Sequence, residues 1–177
     1  MKIASLLAAA FLVACSSGDD GAAAKDGPVV VPPPPPGAVD GTDAAVFVRA
    51  RVEGDTVVAE IATRATPALS GAALRVAFPA WLRFDRRDPD SGWSAESVHH
   101  TKVSGRSEVV LADTRLGKGT AHDAPGAGTS TVLTTLYFTR IATPTDGALR
   151  IVPARSELRD AEGKVVPAAY YEQTLGN

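Results

Sequence analysis

From residue 44 onward the chain alternates apolar and polar residues with a period of two, and glycine, proline and aspartate interrupt it at short intervals. That period places successive side chains on opposite sides of an extended backbone, so it predicts half-buried strands and leaves little room for helices. In 45–53, Val46, Val48, Ala50 and Val52 alternate with Phe47, Arg49, Arg51 and Glu53. Gly54-Asp55 supplies a turn. In 56–64, Val57, Ala59, Ile61 and Thr63 oppose Val58, Glu60, Ala62 and Arg64, which makes the two runs a hairpin.

The pattern continues to the end of the chain. Leu74, Val76 and Phe78 alternate with Ala73, Arg75 and Ala77, and Pro79 ends that strand because it has no N–H for the ladder. Leu82 and Phe84 mark a short strand, and Val109 and Leu111 another. The longest β-prone run is 130–141, with Val132, Leu136 and Phe138 on one face and Leu133, Tyr137 and Ile141 on the other. Leu149 and Ile151 follow. Val165-Val166 comes after the turn Asp160-Ala161-Glu162-Gly163, and Tyr170, Tyr171 and Thr174 form a closing strand. The polar segments 85–106 and 114–129 read as loops or short ribbons. Eight or nine short strands without an amphipathic helix predict an all-β, antiparallel β-sandwich over 44–177. One polar face per strand fits sheets packed on one side only.

The N-terminus has a different character. Lys2 precedes an apolar run from Ile3 to Ala14, which is the layout of a secretory signal. The run falls short of the ~20 residues a membrane-spanning helix needs. It ends in Leu12-Val13-Ala14-Cys15, which resembles the lipobox of bacterial lipoproteins. The resemblance implies cleavage after residue 14 and lipidation of Cys15, the single cysteine of the chain. One acyl chain binds membranes marginally and two or more bind stably, so a multiply acylated Cys15 is a firm anchor. Ser16 stands where an aspartate would resemble the inner-membrane retention signal, which points to the outer membrane. Residues 15–43 then read as a tether: a Ser/Gly/Asp/Ala stretch followed by the proline run Pro32–Pro36, a stiff polyproline II spacer.

Charge excludes one class of partner. The formal charge is −2, and removal of residues 1–14 takes away one lysine and no acid. Nucleic-acid binders carry a basic surface, and this composition does not predict one. With Cys15 lipidated, no thiol is left for a disulfide, so the domain depends on its hydrophobic core.

The order of motifs resembles cohesin domains. Gly54-Asp55-Thr56-Val57-Val58 resembles their opening hairpin, and Leu69-Ser70-Gly71 running into Leu74–Phe78 resembles their glycine-then-strand segment. Leu82-Arg83-Phe84, the stretch from Gly128 to Leu136-Tyr137-Phe138, Leu149-Arg150-Ile151 and Asp160-Ala161-Glu162-Gly163 match later strands and turns. The similarity spans about residues 45–176. It implies a nine-stranded jelly-roll sandwich that binds a protein partner, a dockerin, through a sheet face; the related carbohydrate-binding modules bind polysaccharide. The sequence departs from the family at Phe78-Pro79-Ala80-Trp81, where cohesins commonly have Asp-Pro.

Candidate sites are few. Trp81 shares parity with Arg83, opposite Leu82 and Phe84, and so is expected to face outward. Trp93 lies in a polar loop, and Tyr137 adds a third ring; exposed flat aromatics suit a sugar or a protein interface. Asp85, Asp88 and Asp90, before Ser91-Gly92, gather carboxylates in one segment and make a calcium candidate that lacks the complete loop pattern. His99-His100 and His122 read as solvent-exposed loop residues, since adjacent strand residues point to opposite faces and seldom share a metal. Gly-x-Ser-x-Gly and His-Glu-x-x-His are both absent, and no pair of carboxylates is selected by spacing, so the expected activity is binding and not catalysis.

Overall fold

The computed structural model describes residues 44–116, 119–126 and 128–175. The expectations for the signal segment, Cys15 and the proline spacer lie outside the described residues. The rest folds as two sheets packed face to face.

Sheet A contains β1 (Ala45–Glu53), β2 (Thr56–Arg64), β4 (Leu82–Pro89), β7 (Ser130–Arg140) and β11 (Ala169–Tyr171), in the order β11-β1-β2-β7-β4. Sheet B follows the path β10-β9-β3-β6-β5, made of β3 (Leu69–Ala77), β5 (Ser97–Val103), β6 (Glu108–Arg115), β9 (Glu157–Asp160) and β10 (Val165–Val166). β8 (Gly147–Ile151) pairs with the end of β3, and β12 (Gln173–Leu175) pairs with β8. Every pairing is antiparallel except β1 with β11. A 3-10 turn at Pro153–Arg155 links β8 to β9.

The opening hairpin forms as its sequence dictates. Glu53 pairs with Thr56 across Gly54-Asp55, and Gly54 has φ +60°, the conformation that a two-residue hairpin loop places on a glycine. Val46, Val48, Val57, Ala59 and Ile61 face the partner sheet and are fully buried, as are Leu74, Val76, Val109, Leu111, Leu136, Leu149 and Leu158 or nearly so. Phe138 lies among them at 0 % exposure, with Phe78 at 5.1 Å and Phe84 at 5.7 Å between ring centroids.

Two bulges in sheet A depart from simple alternation. On β7, Thr134 pairs with Ile61 but Val132 pairs with Ala62, so Leu133 is the extra residue. Leu133 is therefore buried, while Val132 turns to the outer face and is only half-buried, the reverse of strict parity. On β4, Phe84 pairs with Phe138 and Arg86 with Tyr137, leaving Asp85 as the extra residue. The polar stretch expected as loop or ribbon contains the second half of β4 and all of β5. Both are edge strands of their sheets, so their free edges face solvent and weaken the hydrophobic alternation.

Candidate interaction surface

The outer faces of the two sheets differ in relief and in how their charges are used. On sheet A the outward residues are long. Arg51 is 2.6 Å from Glu53 and 3.5 Å from Glu60, and Arg83 is 3.1 Å from Asp85. Arg86 pairs with Asp88 and lies 3.5 Å over the Tyr137 ring. Arg49 bonds Ser130 and lies 5.0 Å from the centre of the Phe47 ring. Register sets Val58 between Arg51 and Tyr137 and Ala62 between Phe47 and Val132, and the two are 2 % and 0 % exposed although they point outward. Sheet A covers its own outer face.

Sheet B does not. Register places Val98, Thr114 and Gly71 in one outward row, His100, Ala112 and Ala73 in the next, then Lys102, Val110 and Arg75, and then Glu108, Ala77 and Arg150. Its small apolar side chains are Ala73, Ala77, Val110 and Ala112, with Val98 at the edge, all at least partly exposed, and Arg75 stands among them opposite Val110. Two ion pairs lie on this face, Arg75 with Glu108 at 2.6 Å and Arg159 with Glu157 at 2.8 Å. Lys102 and Arg150 are exposed, and neither has an ion pair among the described residues. A flat face of small apolar side chains interspersed with charges suits a protein contact.

At one end this face runs into an open cleft of about 630 Å³, lined by Ala77, Pro79, Trp81, Ala148, Arg150 and Glu172 among others. The cleft is close-built: a Cβ on Gly147 would lie 2.7 Å from Pro79 Cγ.

Between the sheets lies a polar cluster that alternation does not reveal. Arg87 reaches across from β4 to Asp113 on β6 and donates to both carboxylate oxygens at 2.5 Å. The two side chains are 3 % and 2 % exposed. Arg87 Nε donates to Thr134 Oγ1 at 2.8 Å, and a second guanidinium nitrogen reaches the His100 carbonyl at 3.2 Å. His99 Nδ1 lies 2.7 Å from Asp113 Oδ1, an oxygen that Arg87 also reaches. Every charged group here has a partner, which is the condition for burying one.

The structure does not bring the predicted ligand residues together. Trp81 is buried at 7 % exposure and donates its indole N–H to the Thr145 carbonyl at 2.9 Å. Its outward expectation is corrected because the chain is not extended there: Leu82 N bonds Pro79 O across a turn, so strand parity does not apply. Trp93 is likewise 7 % exposed and does not present an open ring. The bulge at Leu133 turns carbonyls out of the β7 ladder; Trp93 Nε1 bonds Leu133 O at 2.7 Å and His122 Nε2 meets Val132 O at 3.1 Å. The two rings pack at 4.9 Å and close one end of the core, which corrects His122 from an exposed loop residue to a buried one. Tyr137 is half-buried under Arg86 on sheet A.

The three carboxylates also diverge. Asp85 is held by Arg83 and Thr139, Asp88 by Arg86, and Asp90 accepts the Gly92 N–H at 2.8 Å. Among the described residues no group of three His, Cys, Asp or Glu side chains is placed to hold a metal ion. His99 and His100 do point to opposite faces of β5, as adjacent strand residues must.

Comparison with known proteins fixes the fold. No family model matches the chain, and no curated protein matches it. Solved structures do. A non-cellulosomal cohesin from the archaeon Archaeoglobus fulgidus aligns with a TM-score of 0.59 at 13 % identity, covering 75 % of this chain and 88 % of that one. The sixth cohesin of scaffoldin B from Acetivibrio cellulolyticus, solved in complex with a Cel5 dockerin, aligns with a TM-score of 0.59 at 13 % identity over 74 % and 97 % of the two chains. A cohesin module of a family 33 glycoside hydrolase from Clostridium perfringens gives 0.58 at 10 % identity over 76 % and 96 %. The chain has a cohesin-like β-sandwich fold.

Proposed function

We propose that this domain is a non-catalytic protein-binding module that docks its partner on the outer face of sheet B, and that lipid on Cys15 holds it to the cell envelope, at the outer membrane. The observation that carries the docking reading is the contrast between the faces. Outward Val58 and Ala62 of sheet A are buried beside Arg51 and Phe47, whereas on sheet B Ala73 and Val98 are exposed and Val110 and Ala112 half-buried. Leaving short apolar side chains on a plane costs solubility and gains nothing for the isolated fold, so such a patch marks a contact site. The cohesin-like fold supports a dockerin-type protein as the partner class. A polysaccharide is the weaker reading, because neither tryptophan offers an open ring face.

The test compares two substitutions that introduce the same side chain on the two faces. Immobilised chain carrying Ala112→Arg, on sheet B, is expected to lose capture of its partner from an extract of the source cells. Chain carrying Thr135→Arg, on the outer face of sheet A, is expected to retain it. Equal capture by both, with unchanged circular dichroism, would remove sheet B from the account.

A further inference from the structure

The charges on sheet B carry the docking reading one step further, to the chemistry of the partner. The outward face holds four basic side chains, Arg75, Lys102, Arg150 and Arg159, and two matched carboxylates, Glu108 with Arg75 and Glu157 with Arg159. Lys102 beside Val110 and Arg150 beside Ala77 have no ion pair among the described residues and stand on opposite sides of the small apolar side chains. Glu172 shares the cleft lining with Arg150, so the face keeps a net excess of one positive charge, with Lys102 its free cation. This excess lies on a chain whose formal charge is −2. On sheet A, Arg51, Arg83 and Arg86 each have a carboxylate of their own, and Arg49 is tied to Ser130.

We infer that the partner presents an acidic surface, with carboxylates flanking a small apolar stripe, so that it meets Lys102 and Arg150 while the stripe lies on Ala73, Val110 and Ala112. This rests on the docking reading and names the partner's charge. Complementary potentials across an interface steer encounter and reject partners of the wrong sign. Unmatched cations contribute most to an approaching anion, because Arg75 and Arg159 are already neutralised by their neighbours. The contact is therefore salt-sensitive, since exposed charges are screened within ~10 Å at 0.1 M salt.

The probes are two helical peptides with the same alanine and leucine stripe, one flanked by glutamates and one by lysines. Each is titrated into the full chain, and binding is followed by backbone amide shifts. The expected result is that the glutamate peptide binds at least about tenfold tighter than the lysine peptide. Its shifts centre on Lys102, Val110, Ala112 and Arg150 and shrink as salt is raised. The variant Lys102→Glu/Arg150→Glu, whose sites are exposed, is expected to reverse the order. Absence of preference between the peptides, or shifts centred on Glu60 and Tyr137, overturns the inference. If Ala112→Arg abolishes partner capture while the peptides show no preference, the docking face stands and its charge assignment falls. If Ala112→Arg leaves capture intact, the docking reading itself has failed.

Discussion

At the scale of single residues, the sandwich is tied across its interior by Arg87 and Asp113. Removing one member of such a pair leaves an uncompensated charge in an apolar interior, whereas removing both leaves only a packing problem. Arg87→Met alone, and Asp113→Leu alone, are each expected to cost about 3–5 kcal/mol of unfolding free energy. The double variant is expected to recover most of the loss, and urea melts of the four proteins measure the coupling. Additive losses would mean that the pair does not act as a unit. Asp113 was legible in part, because it shares the inward parity of Val109 and Leu111. Arg87 was not. The bulge at Asp85 shifts the parity of β4, so a residue that reads as outward after Leu82 and Phe84 turns inward. The tryptophans failed as site residues for related reasons, Trp81 because it sits in a turn and Trp93 because its partner carbonyl depends on a bulge in a distant strand.

Among the elements, the long central strands declared themselves and the edges did not. β1, β2, β3 and β7 each turn an apolar face to the core, with sequence alternation over most of their length, and their turn residues mark their ends. β5 exposes nearly all of its residues to some degree, which leaves no apolar periodicity to read. Gly71 shows what a sequence motif meant physically. It sits where β3 shifts register against β9, and a Cβ there would lie 2.9 Å from the Asp113 carbonyl oxygen of β6. Backbone cannot swing aside as a flexible side chain does, so Gly71→Ala must push the two strands apart. The expected cost is about 1–3 kcal/mol, read as a lower urea midpoint at unchanged slope. An unchanged midpoint would show that the strands accommodate the methyl group freely.

On the scale of the whole molecule, the sandwich has one outer face crossed by ion-paired arginines and one with exposed small apolar side chains, and the proposed lipid anchor precedes β1. Ala44, just before β1, accepts the Ala169 N–H at one end of sheet A, whereas the Gly54-Asp55 turn and the cleft near Trp81 lie at the other end, where Arg140 N bonds Asp55 O and Ile141 N bonds Trp81 O. A tether entering at Ala44 thus leaves the cleft end of the domain farthest from its attachment. If Cys15 carries the anchor, Cys15→Ala moves the protein from the membrane to the soluble fraction without changing its melting temperature. Persistence in the membrane fraction would contradict the anchoring proposal. The overall class was legible because a sandwich needs only alternation and turns. Which face binds was not, because it depends on how outward side chains of different strands lie against one another.

The central claim is that partner binding occurs on the outer face of sheet B. Its most direct test is a cross-saturation experiment on the full chain bound to its captured partner, in which amides near the contact lose intensity. The account predicts losses on β5, β6 and β3, centred on His100, Lys102, Val110, Ala112 and Ala73. Losses confined to Arg51, Glu60, Tyr137 and Arg86 on sheet A would contradict it.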